Sequence, residues 1–342
     1  MNSNKQLVIT SFDTDINKAT SVQENHVKRP GKNDIVVKTS YVGINALYDR
    51  ELYRGAVPYI DVQFPYVFGV ESVGQVIEVG QNVSKHGIGD HVGIVKVGSA
   101  YQEYQTVHED IASPLPAATP EYLAISPTGI SADLAIEKVG EVVEGETVLV
   151  TAAAGGLGHF IVQLCKMKGC HVIATCGHDE KVELLESLNS CDRIIQYNRE
   201  DLGEVLKREY KGRIDVAFDT VGAHMFDTIL PHLALKGRHV ICGLAAELSR
   251  SSFEVVTTTR AYESIYWKGA SIRCFMNHLF KDHHGESRSR LEHLYQEGLL
   301  KVLIDPMRFE GIENIVDASL YLLAGKSRGK VVVSVAEVGT KI

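Results

Sequence analysis

The decapeptide TAAAGGLGHF, Thr151 to Phe160, places small residues at Ala153, Gly155 and Gly158. This is a G-x-G-x-x-G spacing with alanine in the first position, and it serves phosphate binding when a strand precedes it and a helix follows. Gly155 lets backbone approach a pyrophosphate. Gly158 lets the helix pack close to its sheet, and the unpaired N–H groups at the helix start favour an anion. Both flanks are present. TVLVTA (147–152) is a short apolar run, consistent with a buried parallel strand. Leu157, Phe160, Ile161, Leu164 and Cys165 then recur at helical spacing, with His159, Gln163, Lys166 and Lys168 between them. A purely structural turn is the competing reading, but the context favours a dinucleotide site.

The next strand bears on which dinucleotide. NAD sites carry an acid at the end of that strand, on the ribose 2′-hydroxyl. Here HVIAT (171–175) runs into Cys176, Gly177 and His178, with Lys181 beyond. A cation and an imidazole suit a 2′-phosphate. Asp179 and Glu180 compete for the role, but they open the following helix, where acids are favourable for dipole reasons alone. NADPH is therefore expected over NADH.

A second chemical candidate is Glu71, in FGVESVGQVIEVG (68–80). It could be a base, a metal ligand or a buried structural group. The six cysteines, Cys165, Cys170, Cys176, Cys191, Cys242 and Cys274, form no CxxC pair and read as reduced thiols. A structural zinc site needs four close ligands, and none is visible. His283, His284 and Glu286 read as a solvated turn. No metal site is expected.

The elements that must position these residues follow from pattern. With 342 residues, about two domains are expected. Up to residue 124 the chain reads as β-branched runs separated by Gly, Asn and Asp, and the prolines of SPLPAATPEYLA mark a boundary. From Thr147 strands and helices alternate, which implies βαβ units and a parallel sheet. SIRCFMNHLF reads as a strand, LEHLYQEGL as a helix, and the last segment as helix, turn and strand. The net charge of −8 argues against a nucleic-acid partner held by phosphate neutralisation. The N-terminus has no apolar h-region, and no apolar run approaches membrane-spanning length. A cytoplasmic protein with no membrane partner is expected.

The whole chain resembles the medium-chain dehydrogenase/reductase superfamily, and within it the zinc-free, zeta-crystallin-like quinone oxidoreductases, nearest to their prostaglandin reductase 3 branch. The stretches that carry this are YVGIN (41–45), FGVESVG (68–74), GDHV (89–92), TAAAGGLGHF, HVIATCGHDEK (171–181), FDTVG (218–222), LKGRHVICG (235–243), FMNH (275–278) and GKSRGKVVV (325–333). The resemblance implies an α/β fold. A β-rich, partly open, GroES-like barrel (1–124 and 278–342) would carry substrate, a Rossmann domain (125–277) would carry NADPH, and the active-site cleft would lie between them. It further implies a homodimer or homotetramer.

Carried over position by position, Asn45 and Ser131 resemble nicotinamide-side residues, and Ala154, Gly155, Gly156 and Leu157 the pyrophosphate turn. Lys181 resembles the 2′-phosphate lysine, beside Cys176, Gly177 and His178, and Tyr197 resembles the tyrosine near the adenosine ribose. Val221, Leu244, Phe275 and Ser327 resemble cofactor-side residues. Of the tyrosines in the substrate loop, Tyr48, Tyr53, Tyr59 and Tyr66, Tyr53 is the expected catalytic-site contact; ordinary packing is its alternative. Zinc-dependent relatives carry Gly-His-Glu where this chain has Gly69-Val70-Glu71, and valine cannot ligate a metal. Glu71 is then expected to be structural, paired with a basic group. Lacking a Lewis acid, such an enzyme would reduce electron-poor partners, namely quinones or the C=C bond of α,β-unsaturated carbonyls. The alternative reading is an NADPH-binding protein with little catalysis that binds RNA or another partner.

Overall fold

The computed structural model describes residues 3–248 and 260–335. Residues 1–2, 249–259 and 336–342 of the expected domains lie outside them. The chain divides into two compact units, residues 1–127 with 304–342 and residues 128–303.

The first unit is built on a seven-stranded sheet, antiparallel except for one short parallel pair. At its centre the strand Asp34–Gly43 pairs with Glu71–Val79, with register breaks near Val36 and Thr39. The late strand Val332–Ser334 pairs with Tyr41–Gly43, so the end of the chain completes the sheet begun near its start. A three-stranded sheet contains Ser3–Ile9 at its middle. Alternation works here as expected. Ile35, Val37, Val76, Val92, Ile94 and Val107 point inward and form one core. A second core gathers Leu7, Ile9, Ile44, Leu52, Phe68 and Tyr101 with Ile312 and Ile315.

The second unit is a six-stranded parallel sheet. Numbered along the chain, its strands lie in the order 3-2-1-4-5-6, the doubly wound arrangement. They are Thr147–Val150, His171–Cys176, Arg193–Gln196, Ile214–Asp219, Leu233–Ile241 and Ser271–Cys274. The apolar runs are buried on both faces, as parallel strands require.

Four expectations change. SIRCFMNHLF is a strand only over Ser271–Cys274, and Asn277–His283 turns helically. His284 and Glu286 are not in a turn but open the helix His284–Gln296. That helix belongs to the second unit, so the return to the first comes at Ile304 rather than 278. The reason is pairing: Arg290 bonds Asp133, and Lys301 bonds Gln163. His159 and Gln163, read as a polar helix face, are buried. Among the described residues no helix is long and apolar enough to cross a membrane.

Candidate functional site

In the second unit, the first strand ends at Val150 and the helix Gly158–Met167 begins after one turn. Ala152 adopts a left-handed conformation, φ 45°, and its carbonyl accepts from the Gly155 N–H at 2.9 Å. A Cβ at Gly158 would stand 2.6 Å from the Ala152 oxygen and 2.7 Å from the Ala153 Cα. Only glycine lets this helix start so close to the turn. The turn residues Ala154 to Leu157 lead directly into the helix, whose first N–H groups fold back on the turn: that of His159 donates to the Gly155 carbonyl at 3.2 Å, and those of Phe160 and Ile161 to the Leu157 carbonyl at 3.2 and 3.3 Å. The helix thus starts as close to its strand as a pyrophosphate turn requires.

A buried polar set lies beneath the turn. The Thr151 hydroxyl donates to Asp219 Oδ1 at 2.9 Å and accepts from the Thr220 N–H at 2.9 Å. Asp219 Oδ1 also accepts from the N–H groups of Val221 (2.9 Å) and Gly222 (3.0 Å), and Oδ2 accepts from His239 Nε2 at 3.2 Å. Thr151, Asp219 and His239 are fully buried. Burial opposes charge on Asp219, but the bonds from His239, Gly222 and Val221 outweigh it and hold the carboxyl below its ordinary range. The set ties the first strand's turn to the fourth strand's end. It brings Val221 near Leu244 as well: the Ala246 N–H donates to the Val221 carbonyl, and Leu244 Cδ2 would lie 3.4 Å from a Cβ on Gly222. None of the three was recognised from sequence, although FDTVG contains Asp219.

His159 secures the other side of the turn. Its Nδ1–H donates to the Gly155 carbonyl at 2.9 Å, and Nε2 accepts from the Leu303 N–H at 3.1 Å. These two bonds fix one neutral tautomer, and burial lowers its pKa to about 4. Gln163, one turn on, bonds Lys301 through both side-chain atoms, at 2.9 Å each.

The second strand's end meets the third strand's end. The Tyr197 N–H donates to the Cys176 carbonyl at 3.1 Å. Asn198 Nδ2 donates to the Gly177 carbonyl at 2.5 Å, and a Cβ on Gly177 would lie 2.7 Å from the Tyr197 hydroxyl. His178 is exposed and precedes the helix Asp179–Leu188, which carries Lys181 in its first turn. The Cys176 thiol is buried and pushed up to about 11 by that burial. Asp179 bonds Gln196 at 2.5 Å and pairs with Arg199.

Elsewhere in this unit, Asn277 Nδ2 donates to the Ser131 hydroxyl at 2.8 Å. The Phe275 ring stacks on Phe280, centroids 5.8 Å apart. Asn277 is a further site candidate, and its place beside Phe275 in FMNH was the available signal.

In the first unit, Asn45 caps the helix Ala46–Tyr53. Asn45 Nδ2 donates to Glu71 Oε1 at 2.8 Å, and Asn45 Oδ1 accepts from Lys330 Nζ at 3.2 Å. Lys330 Nζ donates to Glu71 Oε1 at 2.5 Å and to the Ile44 carbonyl at 3.0 Å. The expected basic partner of Glu71 is thus Lys330, and both are buried. A Cβ on Gly43 would sit 2.4 Å from Glu71 Oε1, so glycine there makes room for the carboxylate. Asp49 accepts from the Asn45 N–H at 2.9 Å and the Tyr101 hydroxyl at 2.5 Å, and burial raises its pKa to about 7. Glu71 Oε2 and Asp49 Oδ1 are buried without a hydrogen-bond partner among the described residues.

Of the two readings of Tyr53, its burial matches the packing alternative. It is 4% exposed, packs in the core and meets Phe68 edge-on at 6.3 Å. It ends a helix whose inner face carries Leu52, and its ring follows that face inward. Tyr48 is only partly buried and bonds Tyr59; burial raises its pKa. Ser327 is buried beside Arg328, whose N–H donates to Asp305 Oδ2 at 2.6 Å. Among the described residues no three His, Cys, Asp or Glu side chains are grouped to hold a metal.

Residues 31–117 match the family model described as the alcohol dehydrogenase GroES-like domain, and residues 156–281 the one described as zinc-binding dehydrogenase. Prostaglandin reductase-3 of Mus musculus is 36% identical over 340 residues, covering 96% of this chain and 89% of that protein. A probable quinone oxidoreductase of Leishmania amazonensis is 33% identical, covering 97% and 98%. Among solved structures, CurA from Vibrio vulnificus in complex with NADPH superposes with a TM-score of 0.85 at 23% identity, covering 97% and 99%.

Proposed function

The chain belongs to the medium-chain dehydrogenase/reductase superfamily, and from that premise we propose an NADPH-dependent, zinc-independent reductase of quinones or of the C=C bond of α,β-unsaturated carbonyls. The observation that carries the cofactor reading is the turn before Gly158, where a Cβ would meet backbone at 2.6 Å. Such close strand–helix packing is what a dinucleotide's pyrophosphate turn requires.

The residues fit the dinucleotide in order. Ala154 to Leu157 would hold the pyrophosphate, His178 and Lys181 the 2′-phosphate, and Tyr197 the adenosine ribose. Ser131, fixed by Asn277, would serve the nicotinamide end, with Val221, Leu244 and Phe275 as apolar wall. Asn45 and Ser327, in the first unit, are the remaining cofactor-side candidates that the family resemblance implies. When bound, the reduced nicotinamide supplies a hydride.

The chain's own contribution is binding, orientation and the exclusion of water. At the position of the zinc-ligating histidine this chain has Val70. A conjugated acceptor suits that substitution, because it delocalises the charge a hydride brings. The names of the two relatives above, a prostaglandin reductase and a quinone oxidoreductase, support the same substrate class. Tyr48, partly exposed, replaces Tyr53 as the tyrosine to test at the substrate.

NADPH oxidation should be followed with 1,2- and 1,4-quinones, alkenals and 15-keto-prostaglandin-like enones. Turnover with at least one class is expected. Tight NADPH binding with no turnover across the panel would overturn the reductase reading.

A further inference from the structure

The cofactor reading leaves one acid to explain. Asp179 follows the second strand of the parallel sheet by three residues. A carboxylate near that strand end ordinarily accepts from a ribose 2′-hydroxyl and repels a 2′-phosphate. Here both of its oxygens are engaged. Oδ1 accepts from Gln196 Nε2 at 2.5 Å, and Oδ2 pairs with the Arg199 guanidinium. Arg199 is held in register by its own segment, because Tyr197 bonds the Cys176 carbonyl and Asn198 bonds the Gly177 carbonyl. The two strand ends are interlocked over residues 176–179 and 196–199.

Arg199 cancels the charge of Asp179, and Glu180 and Lys181 stand beside it in the same first turn, so the four side chains sum to no net charge. Without Arg199 this strand end would carry one net negative charge, and Asp179 would be an unmasked carboxylate. On the NADPH reading above, we infer that Arg199 is a specificity-determining residue. It neutralises Asp179 and so converts an acid position that would favour NADH into one that accepts a 2′-phosphate. The pair is exposed, at 67% and 57% of side-chain surface. Exposed pairs add little to folding, so changes here should read out in cofactor choice rather than stability.

The test is a double-substitution cycle on the full chain. Dissociation constants for NADPH and NADH are measured by nicotinamide fluorescence, with thermal melting as a control. Arg199→Ala should weaken NADPH by roughly fivefold, the effect of one unmasked carboxylate at a solvent-screened site, while NADH affinity holds or improves. Adding Asp179→Asn to Arg199→Ala should restore much of the NADPH affinity, because the repelling carboxylate is gone. Equal losses for both dinucleotides would overturn the inference. So would an Asp179→Asn change that is silent in the Arg199→Ala background. The parent reading fails separately: wild-type protein that binds neither dinucleotide, or prefers NADH, removes the NADPH assignment itself.

Discussion

Lys330 and Glu71 are bonded at 2.5 Å, 259 residues apart in the chain, and both are buried. The same two side chains hold both ends of the Asn45 amide. The pair therefore supports a core and fixes the orientation of a site candidate. Lys330→Met would leave Glu71 charged, buried and without its cation. Breaking a buried pair in this way costs about 3–5 kcal/mol. The Lys330→Met, Glu71→Gln double variant should recover most of that. Urea unfolding midpoints check both; a single variant as stable as wild type would contradict the pairing.

Gly158→Ala should spare the second unit's sheet and impair its turn. The added methyl meets backbone at 2.6 and 2.7 Å, and neither contact can yield by rotating a side chain. NADPH affinity should fall by about tenfold or more, equivalent to roughly 1.4 kcal/mol of displaced turn. Unchanged fluorescence titrations would show that the turn does not carry the cofactor.

His159 predicts an acid-sensitive stability. In the unfolded chain it takes up a proton near 6.5; buried, it does so only at about 4. Between those values the unfolded state binds more protons, so stability falls as pH drops from about 6.5 to about 4. The loss is on the order of 3 kcal/mol. Asp49, raised to about 7, acts in the opposite sense, but it is common to wild type and variant. His159→Gln, whose amide can both donate and accept, should flatten this component when stability differences are taken across that window.

Asp219 predicts a different window. Its folded pKa lies below the ordinary value, so its contribution is complete above the unfolded value of about 3.9 and is lost as pH falls through the folded one. Wild type should therefore outlast Asp219→Asn at neutral pH, and the gap should close only below about pH 3.9. Urea melts from pH 7 to 3 would show it; a gap that closes between pH 7 and 5 would point to a different group.

Tyr53→Phe should leave kcat/KM for quinones within about twofold, because its ring packs in the core and is 4% exposed. Tyr53→Ala should instead cost about 3–5 kcal/mol of stability. A selective loss of turnover in the phenylalanine variant would return Tyr53 to the catalytic site.

What could be read in advance divides by distance along the chain. The parallel sheet and the Gly158 turn were legible because each rests on spacing within a dozen residues. The burial of Tyr53 was not legible, because four tyrosines near one loop look alike until the helix Ala46–Tyr53 turns one inward. The helix His284–Gln296 was expected only near LEHLYQEGL, because its first half, ahead of Leu291, is polar and marks no face. His159 and Gln163 looked solvated because their partners, Leu303 and Lys301, lie about 140 residues away. Thr151, Asp219 and His239 are joined only by folding, and no local pattern announces a buried carboxylate. Lys330 differs: a lysine directly before VVV is unusual enough to have been suspected.

The sheet of the first unit closes through Val332–Ser334, and that ordering has a consequence for biosynthesis. All of residues 128–303 are synthesised while the first unit still lacks its strand Val332–Ser334 and the Lys330 cation that bonds Glu71. The nascent chain therefore finishes its second body before its first. A chain ending short of Lys330 would lack both the strand that completes this sheet and the cation that Glu71 bonds, leaving a sheet edge open and a buried acid unpaired.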